Sequence, residues 1–150
     1  MKQIELRLTD GEHTNPVKNS VRFPSQVYDV FASLKDKASE TLLVIYLSED
    51  YTGIYDVHST GASAMVTLDL HDLFGRAYLT RSRYMILVHN HPKGDPSPSP
   101  ADLEALEAIR LMAAPMDARR LVGLLDFVII GDDSYWSWAE ENGITGYEEV

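Results

Sequence analysis

His89, His91, Ser99 and Asp102 gather two imidazoles, a hydroxyl and a carboxylate within fourteen residues, and such a set can hold a metal ion. Two histidines one residue apart cannot both coordinate from a regular strand, because side chains on one face stand roughly 6–7 Å apart at the strand rise. A loop can bring them together. A carboxylate in the first turn of the next helix then completes three ligands, and a catalytic zinc needs three if it is to keep a fourth position open for water. The chain has no cysteine, so the usual structural zinc sets cannot form. Neutral imidazole with carboxylate suits zinc and, less specifically, iron, manganese or cobalt.

Two elements must converge to build this site. Tyr84 to Val88 is a short continuous apolar run, the signature of a buried strand, so the histidines lie where it opens into a loop. Ser99-Pro100-Ala101-Asp102 opens a helix: the hydroxyl can cap the first turn, proline suits the first helical position, and Leu103, Leu106, Ile109 and Ala113 recur at helical spacing. Pro115 is expected to stop this helix near Ala114.

Elsewhere Ile4, Leu6 and Leu8 alternate with Glu5 and Arg7 as in a half-buried strand, and the dozen residues after Asp10-Gly11 read as loop. Val27, Val30, Phe31 and Leu34 keep a helical period from Pro24 to about Ala38, with Glu40 at the exit. Leu42 to Leu47 reads as a central strand, Asp50 to Gly53 as a turn and Ile54 to Val57 as its pairing strand, before Thr60-Gly61 breaks the chain. Ala64 to Leu68 suggests a further short strand, and Leu70 to Tyr78 a helix capped by Asp69. Leu124 to Ile130 is another buried strand, Ser134 to Trp138 an edge strand, and Glu140 to Val150 an acidic, mobile surface tail. Together these indicate an α/β or α+β mixed sheet flanked by about three helices.

The 150 residues, 45% of them hydrophobic, suffice for one domain with a real core, and no repeat or composition break divides residues 1–150. With 13 Lys and Arg against 23 Asp and Glu, the formal charge of −10 disfavours tight nucleic-acid binding, apart from any local basic patch. Absence of cysteine removes disulfide scaffolding and thiolate catalysis. No apolar stretch approaches the roughly 20 residues of a membrane span, and Met1-Lys2-Gln3-Ile4-Glu5 lacks a secretory apolar region, so the cytoplasm is the expected compartment.

The run from His89-Asn90-His91-Pro92 through Ser99-Pro100-Ala101-Asp102 resembles the signature of RadC-like proteins, a bacterial branch of the JAB/MPN metalloprotease superfamily: His-x-His, ten residues, then Asp, with Ser three before that Asp. The likeness reaches outward to Glu40 before an apolar strand and to Leu124-Leu125-Asp126 with Ile129-Ile130-Gly131, covering roughly residues 24 to 142 and leaving 1–23 as an amino-terminal extension. The resemblance implies a JAB/MPN-like, cytidine-deaminase-like fold. It implies Zn2+ on His89, His91 and Asp102, with Glu40 as general base on a zinc-activated water and Ser99 stabilising the oxyanion. Hydrolysis of a peptide or isopeptide amide in a peptide or protein substrate is the implied reaction, and the chemistry is coherent: a carboxylate beside activated water can take its proton and deliver it to a leaving amine.

Some positions depart from the family pattern. Lys93 stands where serine is usual, placing a cation near the metal loop; Phe127 follows Asp126 in place of histidine; and the arginine expected before the second helix is not evident around Leu70-His71. The helix-hairpin-helix region of full-length RadC-like proteins is not evident in these residues, which with the acidic balance weakens the expectation of a DNA-repair role.

Each site residue also has a structural reading. Ser-Pro-x-Asp is close to a capping box. Glu40 alone reads as a solvated connector, with Glu49 a weaker substitute because it lies in an apparent hairpin turn. His13, His58 and His71 lack a comparable constellation, Asp95 reads as a turn former, and Tyr135, Trp136 and Trp138 as packing. Two functions follow: a zinc-dependent hydrolase, or a non-enzymatic metal-binding interaction module associated with DNA repair or mobile elements. The sequence leaves substrate and oligomeric state open.

Overall fold

The apolar run from Leu42 to Leu47 lies inside a five-stranded sheet. In the computed structural model, which describes residues 1–13, 20–61, 68–92 and 94–149, the strands are β1 (Glu40–Leu47), β2 (Gly53–Gly61), β3 (Tyr84–Asn90), β4 (Gly123–Ile130) and β5 (Tyr135–Ser137). Their order is β2-β1-β3-β4-β5, antiparallel throughout except for the parallel β3–β4 pair. Strands β1, β3 and β4 are buried almost end to end, and so they read as unbroken apolar runs instead of alternating ones.

Helices cover both faces. Leu42, Val44, Met85 and Leu87 pack with Leu73 and Phe74 of α2 (Leu70–Leu79) and with Leu106 and Ile109 of α3 (Pro100–Ala118). Leu43, Ile45, Ile86 and Val88 pack with Val27 and Phe31 of α1 (Pro24–Phe31) and with Leu34 of the 3-10 turn Ala32–Asp36 that continues it. A single-turn helix, α4 (Trp138–Glu141), brings the α-helices to four among the described residues. This is the mixed α/β architecture expected from the sequence.

Several expectations need correction. Ile4, Leu6 and Leu8 form no strand: residues 1–11 carry no regular structure, and these side chains are 77%, 60% and 76% exposed. Alternation supplies a face, but a strand also needs a partner ladder. Helix α3 runs through Pro115 to Ala118. Pro115 and Leu111, whose carbonyl loses its donor, both lie on the exposed side, where water can replace the missing bond. The β2 strand continues past Val57 to Gly61 by way of a bulge at His58. The edge strand is only Tyr135–Ser137, because Ser137 accepts a hydrogen bond from Glu140 N and Trp138 begins α4. The expected strand at 64–68 falls, except for Leu68, outside the described residues.

The acidic tail is also anchored. Gly143, at φ 81°, reverses the chain after α4, and Ile144 N donates back to Ala139 O at 2.9 Å. Tyr147 is then fully buried, and its hydroxyl donates to Asp126 Oδ2 at 2.7 Å. Asp126 also accepts from Ser137 Oγ (2.7 Å), Ala139 N (2.9 Å) and Phe127 N (2.7 Å), so one carboxylate ties the C-terminal segment to β4.

Burial pushes the Asp126 carboxyl up to about 6, with those four donors opposing it. Its folded pKa therefore exceeds its unfolded one, and folding takes up a proton in between. The contribution is fully present below pH 4 or so and is lost as pH rises through about 6. Relative to Asp126→Asn, which cannot titrate, wild-type stability is expected to fall by about 2 kcal/mol between pH 4 and pH 7 in denaturant unfolding. A constant difference over that range would contradict the burial argument.

Candidate metal centre

The histidines lie at the carboxyl end of β3, beside its parallel neighbour β4, where open α/β sheets commonly place their sites. His89 is the penultimate residue of β3, its ring 1% exposed, and His91 follows the strand. Leaving the strand allows the two rings to turn toward each other, with centroids 5.2 Å apart and planes nearly perpendicular. A loop thus achieves what a regular strand could not.

Asp102 enters from the first turn of α3. Ser99 Oγ accepts from Asp102 N at 3.1 Å and Ser99 N donates to Asp102 Oδ2 at 2.9 Å, so the capping box forms and also aims the carboxylate. Asp102, 1% exposed, lies 3.0 Å from His91 Nε2 and 3.5 Å from His89 Nε2. Glu40, at the start of β1, approaches from the other side, 3.8 Å from His89 Nε2 and 27% exposed. One donor atom from each of Glu40, His89 and His91 lies within 4.8 Å of the others.

The far nitrogen of each ring faces a backbone carbonyl: His89 Nδ1 lies 3.3 Å from Thr41 O, and His91 Nδ1 lies 2.8 Å from Asp95 O. A carbonyl can only accept, so each Nδ1 is the donor to its carbonyl and each Nε2 points at Asp102; an Nε2 that gives up its proton to a metal there would leave the tautomer used by metal-binding histidines. Tetrahedral zinc with ligand bonds near 2.0–2.1 Å sets its donors about 3.3 Å apart; His91 Nε2 lies 3.0 Å from Asp102 Oδ2, and His89 Nε2 lies 3.5 Å from the other oxygen, Oδ1. The histidine pair with a carboxylate beside it fits a divalent ion.

Electrostatics agree. Burial holds the His89 pKa below the ordinary imidazole value against the pull of Asp102 and Glu40, favouring the neutral form a metal requires. The Asp102 hydrogen bond raises that of His91 despite partial burial. Burial pushes the Asp102 carboxyl up, but the hydrogen bonds from His91 and Ser99 outweigh it and hold the group ionised.

An open cleft of about 600 Å³ leads to this cluster, lined by residues that include Ser39, Glu40, Gly61, His91 and Asp95. Two glycines bring the histidine loop against the turn after β4. Gly94 has φ 111°, and a Cβ on Gly131 would come 2.3 Å from Gly94 O, so the histidine loop and the turn after β4 meet only because position 131 lacks a side chain. Asp95 is the expected turn former, accepting from Ser97 N at 2.9 Å, and its carbonyl also orients His91. Glu49 lies at the opposite end of β1, 3.5 Å from Arg120, and takes no part. Phe127 packs in the core against Trp136, and Lys93 lies outside the described residues.

Sequence reasoning passed over Asn90, which is fully buried between the two histidines, and the Thr41 and Asp95 carbonyls. Backbone carbonyls leave no trace in residue type. Asn90 did carry a signal: it is a polar side chain continuing the strand alternation of Ile86 and Val88 toward the α1 face.

A mixed sheet presenting a histidine and carboxylate cluster at the end of a central strand fits a metal-dependent hydrolase-like domain. Comparison with known proteins agrees: the chain belongs to the RadC-like JAB domain family, which matches residues 21–144. Similar proteins include a UPF0758 protein of Coprothermobacter proteolyticus, 33% identical over 140 residues covering 91% of this chain and 54% of the relative. A UPF0758 protein of Pelobacter propionicus is 34% identical over 128 residues, 83% of this chain and 54% of the relative. Another from Methanosarcina mazei is 30% identical over 128 residues, 83% and 53% respectively. The chain spans about half the length of these relatives, and their names state no activity. The JAB/MPN superfamily includes metalloproteases. No helix among the described residues is long and apolar enough to cross a membrane.

Proposed function

We propose that this domain is a zinc-dependent hydrolase of peptide or isopeptide bonds, with His89, His91 and Asp102 as metal ligands. The observation that carries the reading is the pair of Nε2 atoms, each fixed by a carbonyl on the far side of its ring, converging on one buried carboxylate. Zinc held there would supply Lewis acidity, polarising a carbonyl and making water acidic near neutral pH.

The two carboxylates divide by access. Asp102 is 1% exposed and locked by the helix cap, which suits a permanent ligand, whereas Glu40 is 27% exposed on the cleft rim, where a proton can come and go. Glu40 accepts a proton from the attacking water at a carboxylate oxygen and returns it to the leaving amine. Ser99 Oγ spends a lone pair on the Asp102 N–H, and its own proton is available to donate to a developing oxyanion. An open cleft of about 600 Å³ accommodates a segment of extended chain.

The test is amine release from a library of linear and isopeptide-linked peptides by zinc-loaded protein, followed under a chelator and after zinc is restored. New amine that disappears with the chelator and returns with zinc is expected. A zinc-loaded protein that cleaves nothing across the library would overturn the hydrolase reading in favour of a metal-binding interaction module.

A further inference from the structure

The ladders around Asn90 do not end together. β1 and β3 pair from Leu47↔Tyr84 as far as Leu42↔His89 and no further. β3 stays with β4 through Asn90↔Ile130, and His91 N then donates to Ile130 O at 2.9 Å. β1 stays with β2 through Glu40↔Gly61. The sheet therefore splits between Thr41 and Asn90, one half carrying Glu40 and the other carrying the histidines. The split is what opens a cleft between the two.

The side chain of Asn90 spans it. Thr41 N, whose partner strand has turned away, donates to Asn90 Oδ1 at 2.6 Å, while Asn90 Nδ2 donates to Leu34 O at 2.8 Å and Ser39 O at 3.3 Å. Glu40 sits between two residues whose backbones are both held by this one amide. The amide is fully buried and works from the α1 side of the sheet, whereas His89 faces α3 on the other. Only a group with an acceptor and two donors at this length serves all three bonds, and asparagine is that group.

We propose that Asn90 is a positioning residue that sets the gap between Glu40 and the histidine pair. The proposal rests on the hydrolase reading for its catalytic consequence, but not for its geometry. Asn90→Ser retains a hydroxyl for one of the three bonds and leaves His89, His91 and Asp102 untouched. Zinc content and KM are expected to stay near wild type while kcat falls about 100-fold, as for a catalytic group misplaced by roughly an ångström. Loss of zinc, or a rise in KM with kcat intact, would overturn the role.

Crystal structures of both proteins test the geometry without any substrate. In Asn90→Ser the Glu40 carboxylate is expected to move by more than about 0.5 Å relative to His89 and Asp102, from a wild-type separation of 3.8 Å to His89. A carboxylate that stays in place overturns the proposal. Should the variant not fold, the wild-type Thr41 amide decides by hydrogen exchange: protection matching Leu43 and Ile45 is expected, and free-peptide exchange overturns it. A wild type that cleaves nothing but whose Glu40 shifts in Asn90→Ser would end the hydrolase reading and leave the spacer role standing.

Discussion

Asp102→Asn is expected to lose zinc while the domain stays folded. The amide keeps the shape of the carboxylate and retains an oxygen to accept the Ser99 N–H, so the α3 cap survives. What it removes is the negative charge between two Nε2 atoms 3.0 and 3.5 Å away. Altering groups behind the ligands typically costs 10- to 100-fold in metal affinity, and a ligand lost outright should cost more than about 100-fold. Chelator-competition titration measures this, with circular dichroism to confirm the fold. Asp102→Ala should lose the metal too, and about 1 kcal/mol of helix capping besides. Wild-type affinity in Asp102→Asn would remove Asp102 from the ligand set.

Glu40→Gln is expected to do the opposite, keeping zinc and losing hydrolysis. Glutamine matches glutamate in size and reach but cannot take a proton, so the expected fall in kcat is about 100- to 10,000-fold, the range supplied by a general base. His91→Ala should fail at binding instead, because it deletes a donor that Asp95 O orients and Asp102 faces. The contrast decides between two roles that proximity alone leaves open to Glu40, since its carboxylate lies as near the histidines as a ligand might. A Glu40→Gln protein that loses zinc would make Glu40 a ligand, and one with full activity would free it from the base role.

Much of this site could be read from the chain because its strongest constraints are local. A short apolar run before His89, and Ser-Pro-x-Asp before an apolar stripe, fix where two elements begin and end, and the capping box at Ser99 is met in the structure almost as written. Glu40 was legible only through family resemblance, because a glutamate opening a strand looks like any solvated connector until the sheet folds. Asn90 escaped notice because its task depends on three backbone groups 49 to 56 residues away in sequence.

The misreadings share a cause. Ile4, Leu6 and Leu8 alternate correctly but have no described ladder to join, and the acidic tail looked like solvated surface although Tyr147 closes the core over Asp126. In both, tertiary partners outweighed composition. Gly143 was the available hint, since glycine after a helical turn marks a chain reversal.

His89, His91 and Asp102 are expected to hold zinc. Elemental analysis of wild-type protein purified without added metal tests that directly, alongside His91→Ala and Asp102→Asn prepared in the same way. About one zinc per wild-type chain, and almost none in either variant, is the predicted result. Wild-type protein that carries no zinc and takes none up when it is supplied would contradict the account.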